Sequence, residues 1–147
     1  MDNAFKYAVA FPIDTEAEYP YTASRSSCAI KDPQGIQATT YTDVTSNSPS
    51  ELQKAVTKGP VSVAIEADQA AFQLYNGGVI SKNCGTKLDH GVLVVGFGTD
   101  STLGDYWKLK NSWGGSWGES GFFRIARSAE TGPGVCGLQV EPSYPSV

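Results

Sequence analysis

The chain contains a single histidine, His90, so any imidazole chemistry must use this residue. An apolar, β-branched run follows it at 92–97, and residues 106–110 alternate large apolar with basic side chains. This pattern predicts two antiparallel strands joined by a turn near Thr99–Gly104. Because antiparallel partners keep a constant sum of residue numbers, the hairpin brings His90 within about two positions of Asn111.

A carboxamide beside an imidazole has a chemical use. The side-chain oxygen of Asn111 can hold one ring nitrogen of His90 as a donor and leave the other nitrogen facing a nucleophile. The alternative is a structural histidine whose ring satisfies only local hydrogen bonds. The motifs around the two residues favour the catalytic interpretation.

Three short motifs stand in order around this pair: Asp-His-Gly at 89–91, Lys-Asn-Ser-Trp-Gly at 110–114 and Trp-Gly-Glu-Ser-Gly at 117–121. In order and spacing they resemble the histidine and asparagine segments of papain-family cysteine proteases, in particular the cathepsin L type. The resemblance runs along nearly all 147 residues.

The resemblance implies an α+β fold. The chain would be a papain-like fold fragment, mainly the antiparallel, barrel-like β-rich half with a few short helices. We expect one partial peptidase domain over residues 1–147, in which residues 1–20 form the edge of the helical half and residues from about 21 to 147 form the β-rich half.

The same resemblance assigns catalytic roles and implies a cysteine-type endopeptidase without cofactor or metal. His90 would stabilise a cysteine thiolate by lowering a thiol pKa that is ordinarily about 8.5, and would later protonate the leaving amine. Asn111 would orient the ring. Trp113 would cover the contact between them and exclude water, which is compatible with ordinary core packing.

The nucleophile of the family is not found in this sequence. The family carries it in a Cys-Gly-Ser-Cys-Trp phrase that opens a helix, preceded by an oxyanion-hole glutamine, and neither feature is present. Cys28 sits in a polar loop with no helix start after it, and the flanks of Cys84 resemble a disulfide site. We therefore expect the chain to be inactive alone and to need the missing N-terminal half of the catalytic domain.

The three cysteines have different expected states. By resemblance, Cys84 and Cys136 form a disulfide, which would stabilise the fold by about 4 kcal/mol in the chain-entropy model. Cys28 resembles a cysteine whose partner lies upstream and is expected to be unpaired. No cysteine is closely spaced with another, and one histidine cannot supply the usual zinc ligands, so no metal site is predicted.

The resemblance also places six residues at the substrate: Met1, Ala64, Leu88, Asp89, Trp117 and Glu141. All but Asp89 and Trp117 resemble walls or floor of the pocket for the side chain two residues before the scissile bond. That pocket would be apolar except for Glu141, whose carboxylate can pair with an arginine, so we expect it to accept aliphatic, aromatic and basic residues. Trp117 resembles a residue on the leaving-group side. The alternatives are core packing for Trp117 and a solvated surface position for Glu141.

Composition restricts the partners. The hydrophobic content of 40% and the charged content of 18% are typical of a globular chain. A net charge of −4 provides no basic patch for nucleic acid and no attraction to anionic membranes. No apolar run approaches the roughly 18 residues of a spanning helix, and the N-terminus lacks the layout of a signal peptide.

The partners and location that the resemblance implies are those of a secreted-pathway protease. It implies a peptide or protein substrate, and a propeptide or cystatin-type inhibitor. A lysosomal, vacuolar or extracellular location is implied too, which suits the expected disulfide.

Two other functions stay open. A truncated paralogue or pseudoprotease would bind peptides or a partner through the exposed half-cleft. A serine-nucleophile relative, such as the silica-associated cathepsin-like proteins, would share the same motifs because the nucleophile position lies outside the chain. Residues upstream of Met1, which resembles an internal methionine of the family, would distinguish these possibilities.

Local signals predict the elements that position these residues. Residues 1–8 predict the start of a helix, which Pro12 ends. A capping box at 48–51, with proline at the first helical position, predicts a second helix that ends at Gly59. A third short helix is predicted at 68–75, capped by Asp68 and with Phe72 and Tyr75 inward. Further strands are predicted at 39–44, 61–65 and 121–127.

Overall fold

A computed structural model describes residues 1–27 and 34–147. The described chain divides into two compact units. The larger consists of Met1 with residues 43–144, and the smaller of residues 2–42 with 145–147. The expected single partial domain stays a prediction. Cys28 lies outside the described residues, so its expected unpaired state stays a prediction too.

The described residues form short helices and seven strands. The helices are α1 (Asp2–Ala10), α2 (Pro49–Lys58) and α3 (Ala70–Gln73), with a 3-10 turn at Val135–Gly137. The strands are β1 (Thr40–Asp43), β2 (Val61–Ile65), β3 (Val79–Ile80), β4 (His90–Asp100), β5 (Gly104–Lys110), β6 (Phe122–Ala126) and β7 (Ser143–Ser146). Within residues 1–27 and 34–147, none of the helices has the length and apolar character needed to span a bilayer.

A mostly antiparallel sheet forms the larger unit. Its strands lie in the order β7, β2, β4, β5, β6 and β3, and only β3 and β6 run parallel. Alternate residues of each strand enter one core because successive side chains point to opposite faces. The fully buried strand residues are Val61, Val63, Ile65, Val94, Trp107, Leu109, Phe123 and Ile125. The run at 61–65 alternates too weakly to predict one exposed face, which favours a buried strand, but Ser62 and Ala64 of β2 are only half-buried.

The predicted central hairpin is confirmed, and its strands are longer than expected. Strands β4 and β5 pair from Leu93 with Lys110 to Asp100 with Gly104, with a bulge between Val94 and Gly96. At the turn, a carboxylate oxygen of Asp100 accepts two backbone N–H groups, each at 3.0 Å. These two local bonds stabilise the turn that joins β4 and β5.

Helix α2 confirms the predicted start at a proline, the Ser48 cap and the end at Gly59, while the Glu51 side chain bonds Lys54. The Ser48 hydroxyl accepts the N–H of Glu51 at 3.4 Å, and proline begins the helix. Leu52 is fully buried, with Ala55 and Val56 beside it in the core. The local cap and the buried face of the helix therefore both favour a helix at these residues.

Helix α3 corrects one prediction. It begins at Ala70 after an N-cap at Gln69 that makes no side-chain cap bond, so the expected cap at Asp68 is wrong. The Asp68 carboxylate instead accepts the side-chain amide of Gln69 at 2.7 Å. Phe72 and Tyr75 are buried as predicted, which indicates that packing rather than capping defines this helix.

The described residues of the smaller unit are little buried. Helix α1 confirms the predicted helix but buries none of its residues. Tyr7 and Phe11 pack against each other with ring centroids 5.2 Å apart and stay about half exposed, at 45% and 51%. Phe5 stacks on Tyr41 at 6.0 Å.

Candidate active site

His90 and Asn111 lie at adjacent strand ends. His90 begins β4 and pairs with Ile65 of β2, while Asn111 directly follows β5. The imidazole Nε2 lies 2.9 Å from the Asn111 side-chain oxygen. The proximity predicted from the hairpin is confirmed by this contact.

The surroundings of Asn111 determine which ring nitrogen carries a proton. Its Oδ1 also accepts the backbone N–H of Ser112 at 2.8 Å, which identifies the atom facing His90 as oxygen, not nitrogen. An oxygen can only accept, so His90 Nε2 is the donor and Nδ1 is the free nitrogen of the neutral ring.

Asn111 itself is held firmly. It is 7% exposed, and its backbone N–H donates to the carbonyl of Gly121 at 2.9 Å. Its Nδ2 is buried and has no hydrogen-bond partner among residues 1–27 and 34–147. The amide oxygen is thus directed at the imidazole by a buried side chain with little freedom.

Aromatic rings enclose the imidazole from two sides. The Trp113 ring lies 5.1 Å from the His90 ring at a tilt of 36°. Phe72, which is fully buried, presents its edge at 6.0 Å. Trp113 is 37% exposed, and its covering role stays a prediction.

Trp117 joins the same aromatic cluster. Its ring centroid lies 5.2 Å from that of Trp113 and 5.1 Å from that of Phe72. Phe123 packs edge-on against Phe72 at 5.0 Å. Since such pairs contribute about 0.5–1.5 kcal/mol each beyond burial, the cluster fixes Trp113 above the imidazole.

The loop after Trp117 needs glycine. Gly118 has φ +57°, and a Cβ there would lie 2.6 Å from the carbonyl oxygen of Phe122. The next turn is closed by a bond of 2.7 Å from the Gly121 N–H to the Trp117 carbonyl. A side chain at Gly118 would therefore displace the loop that carries Trp117.

A groove of about 590 Å³ opens beside the His90–Asn111 pair. It is lined by Met1, Ser62, Gly91, Val92, Leu93, Lys110, Asn111 and Ser112. Of the predicted substrate residues it contains Met1 only. Ala64 is close to it, since Ala64 is the register partner of Gly91 and a Cβ at Gly91 would lie 3.8 Å from the Met1 sulfur.

The other predicted substrate residues lie apart from this groove. Leu88 packs beside Gly137, where an added Cβ would lie 2.6 Å from its Cδ2. Asp89 is exposed, and its carboxylate accepts the N–H of Ala67 at 2.7 Å, a structural bond between two loops. Glu141 is exposed on the surface. Their roles at a substrate stay predictions.

The predicted disulfide is confirmed. Cys84 and Cys136 are bonded, with Cα atoms 5.0 Å apart. The carbonyl of Cys136 also accepts the N–H of Glu66 at 2.8 Å. The bridge thereby ties the loop that leads into His90 to the turn at Val135–Gly137.

Sequence reasoning missed an ion pair next to this site. Arg124 on β6 forms a bidentate contact with Glu119, which stands in the third motif. The hydrogen bonds from the Arg124 side chain hold the pKa of the Glu119 carboxyl below the ordinary value of 4.5. The only sequence signal was the glutamate inside Trp-Gly-Glu-Ser-Gly, which the resemblance did not associate with a role.

The described residues contain no group of three or more His, Cys, Asp or Glu side chains that could hold a metal ion. The fold and the site define a class of protein in which an imidazole contacts an asparagine side-chain oxygen at the end of an antiparallel sheet, with a tryptophan ring packed against the imidazole.

A family model described as papain family cysteine protease matches residues 1–146. The chain belongs to this family, which confirms the resemblance and the fold class inferred from the sequence. It is 48% identical to the probable cysteine protease RD21B of Arabidopsis thaliana, over 99% of this chain and 32% of that protein. It is 44% identical to the senescence-specific cysteine protease SAG39 of Oryza sativa subsp. indica, over 99% of this chain and 43% of that protein.

Solved structures of other cysteine proteases match the fold of this chain. The bromelain protease from Ananas comosus, in complex with the E64 inhibitor, matches with a TM-score of 0.91 and 38% identity over 98% of this chain and 67% of that chain. Digestive procathepsin L 3 of Tenebrio molitor larval midgut matches with a TM-score of 0.88 and 41% identity, over 100% of this chain and 48% of that chain. The chain thus spans about a third to two fifths of the length of the curated relatives RD21B and SAG39.

Proposed function

We propose that this chain supplies the histidine and asparagine of a cysteine-type endopeptidase, together with part of its substrate pocket. The observation that carries the proposal is the 2.9 Å contact between His90 Nε2 and the Asn111 oxygen beneath Trp113. The nucleophilic cysteine comes from a segment outside this sequence, so the chain is inactive alone.

The chemistry follows from the tautomer. Because Asn111 holds Nε2, the exchangeable proton is on Nδ1, and the protonated ring stabilises a thiolate. The sulfur attacks the scissile carbonyl carbon, the carbon–nitrogen bond breaks, and Nδ1 gives its proton to the departing amine. The neutral ring then takes a proton from water, the hydroxide displaces the acyl group, and the thiolate is regenerated.

Activity of a joined protein tests this function. The joined protein consists of this chain preceded by the segment that precedes the matched region in RD21B. We expect it to cleave a fluorogenic dipeptide substrate and to be inactivated by an epoxide thiol inhibitor, while the chain alone does neither. The control is the joined protein with its nucleophilic cysteine changed to serine.

The outcomes separate the alternatives. A folded joined protein that binds peptide without cleaving it would favour a peptide- or partner-binding module. Epoxide labelling of Cys28 or Cys84 in the chain alone would contradict the need for an external nucleophile.

Glu141 is proposed to select basic residues at the pocket floor. Since a hydrogen bond to a charged partner contributes about 1.5–3 kcal/mol, Glu141→Ala in the joined protein should lower cleavage after an arginine-containing dipeptide about tenfold relative to leucine. Glu130→Ala, which changes another exposed glutamate, is the matched control. An unchanged ratio of arginine to leucine cleavage would end this idea.

The proposed setting follows from the family and the disulfide. An oxidising compartment, lysosomal, vacuolar or extracellular, suits the bond between Cys84 and Cys136. A propeptide is a proposed partner, because a relative such as the ragweed allergen Amb a 11 cysteine protease was solved in its proform. A cystatin-type inhibitor is a further proposed partner.

A further inference from the structure

A charged network lies behind the aromatic cluster. Arg124 donates from Nε to both oxygens of Glu119, at 3.0 and 3.1 Å, and from Nη2 at 2.7 Å. Its Nη1 contacts Asp100 at 3.0 Å, and its guanidinium lies 5.2 Å from the ring of Tyr106. The Arg124 side chain is only 20% exposed and the Glu119 side chain 31%. Such a planar, partly buried fork fixes the direction of both groups.

The network also includes the turn after α3. Glu119 accepts the N–H of Gly78 at 3.1 Å. The hydroxyl of Tyr75 donates to the Gly78 carbonyl at 2.7 Å and accepts the backbone N–H of Arg124 at 3.3 Å. Burial raises the pKa of Tyr75 to about 12, so this hydroxyl keeps the proton that it donates.

Glu119 stands in the loop that holds Asn111. Its backbone exchanges two bonds with Phe122, at 2.8 and 3.2 Å. Within the same loop, Gly121 donates to Trp117 at 2.7 Å and its carbonyl accepts the N–H of Asn111 at 2.9 Å. The loop that carries Glu119 is therefore hydrogen-bonded directly to the backbone of Asn111.

A second route runs through side chains. Trp117 leads the loop, and its ring packs on Tyr75 at 5.5 Å and on Trp113 at 5.2 Å. Trp113 in turn packs on His90 at 5.1 Å. Both routes begin at the Glu119 loop and end at the two members of the imidazole–amide pair.

We propose that the Glu119–Arg124 ion pair positions the His90–Asn111 pair, by holding the 117–121 loop so that the amide oxygen and the Trp113 ring stay on the imidazole. Neither charged residue contacts the ring, so both are positioning residues. The catalytic meaning of this role rests on the proposed function. The contacts themselves involve only residues of this chain, so they can be tested without the missing segment. A salt bridge that served only stability would leave the surroundings of His90 unchanged.

Nuclear magnetic resonance of the single histidine tests the proposal on the chain itself. In ¹⁵N-labelled protein at a pH where the ring is neutral, His90 should show the Nε2–H tautomer and ring protons shifted by the Trp113 indole. In Glu119→Gln, which keeps the shape and removes the charge, we expect a mixture of tautomers and loss of most of the indole-induced shift. Glu51→Gln is the matched control, since it breaks the exposed pair with Lys54 on α2 and should change neither signal.

A double variant shows whether the two residues act as one unit. Arg124→Lys loses the bidentate contact and should change the His90 signals as Glu119→Gln does. The variant with both changes should show about the effect of one, not the sum. Wild-type His90 signals in folded Glu119→Gln and Arg124→Lys, whatever the loss in stability, would overturn the proposal.

A variant that does not fold still leaves a test. Glu119→Asp keeps the charge but shortens the reach to Arg124 and Gly78, and should produce the same change in His90 to a smaller extent; wild-type signals there would also overturn the positioning role. Because the readout needs no nucleophile, this result is independent of whether the joined protein cleaves peptides.

Discussion

Replacing His90 with alanine should lower kcat/KM of the joined protein by about a thousandfold, because general acid–base catalysis by one side chain contributes about 10²–10⁴-fold. The chain has no second histidine that could substitute. The loss should appear mainly in kcat, since the imidazole acts on the transferred proton and not on the binding of the substrate.

Asn111→Ala should cost less, about a hundredfold, because the base remains but its orientation is lost. Asn76→Ala, at an exposed asparagine, is the control and should leave the rate within a factor of two to three of the parent. The measurement is steady-state hydrolysis of a dipeptide substrate with active-site titration. A His90→Ala protein that keeps its rate within about tenfold of the parent would contradict the assigned role.

The imidazole–amide pair was predictable because two local rules determine it. Alternation gives the strands, and the constant sum of antiparallel partners places Asn111 beside His90. The bulge between Val94 and Gly96 shifts the register of the residues beyond it by one, and His90 and Asn111 still stand within two positions of facing each other. Helix α2 was predictable for a similar reason, since its cap at Ser48 is a local bond.

Other features depend on contacts distant in sequence. Strand β3 has only two residues and exists through parallel pairing of Val79 and Ile80 with β6. The N-cap of helix α3 was predicted at Asp68, one residue before the observed N-cap at Gln69, because burial of Phe72 and not a side-chain cap sets the start of the helix. Short elements of this kind carry little local signal and are specified by packing.

The network of Arg124 was not predictable from spacing. Glu119 and Arg124 are brought together by a turn in which Ser120 has φ +58° and Gly121 has φ +88°. A non-glycine residue in that region is uncommon, so no turn rule predicts this conformation from Ser120. Asp100, the last residue of β4, also contacts Arg124, although the two residues are 24 positions apart in the sequence. Only the folded sheet places these three charges together.

The second large effect concerns the thiol. A cysteine beside a protonated imidazole has its pKa lowered from about 8.5 to about 3.5–7.5, because the positive charge stabilises the thiolate. In the joined protein, the nucleophilic cysteine should therefore react with iodoacetamide at pH values where an ordinary thiol is protonated. This prediction needs no turnover and no knowledge of the natural substrate.

The most direct measurement is thus the rate of iodoacetamide alkylation against pH, for the joined protein and for its His90→Ala variant. We expect the parent to titrate about one to five pH units below 8.5, and the variant to titrate near 8.5. Coincident profiles in the two proteins would contradict a thiolate–imidazole partnership supplied by this chain.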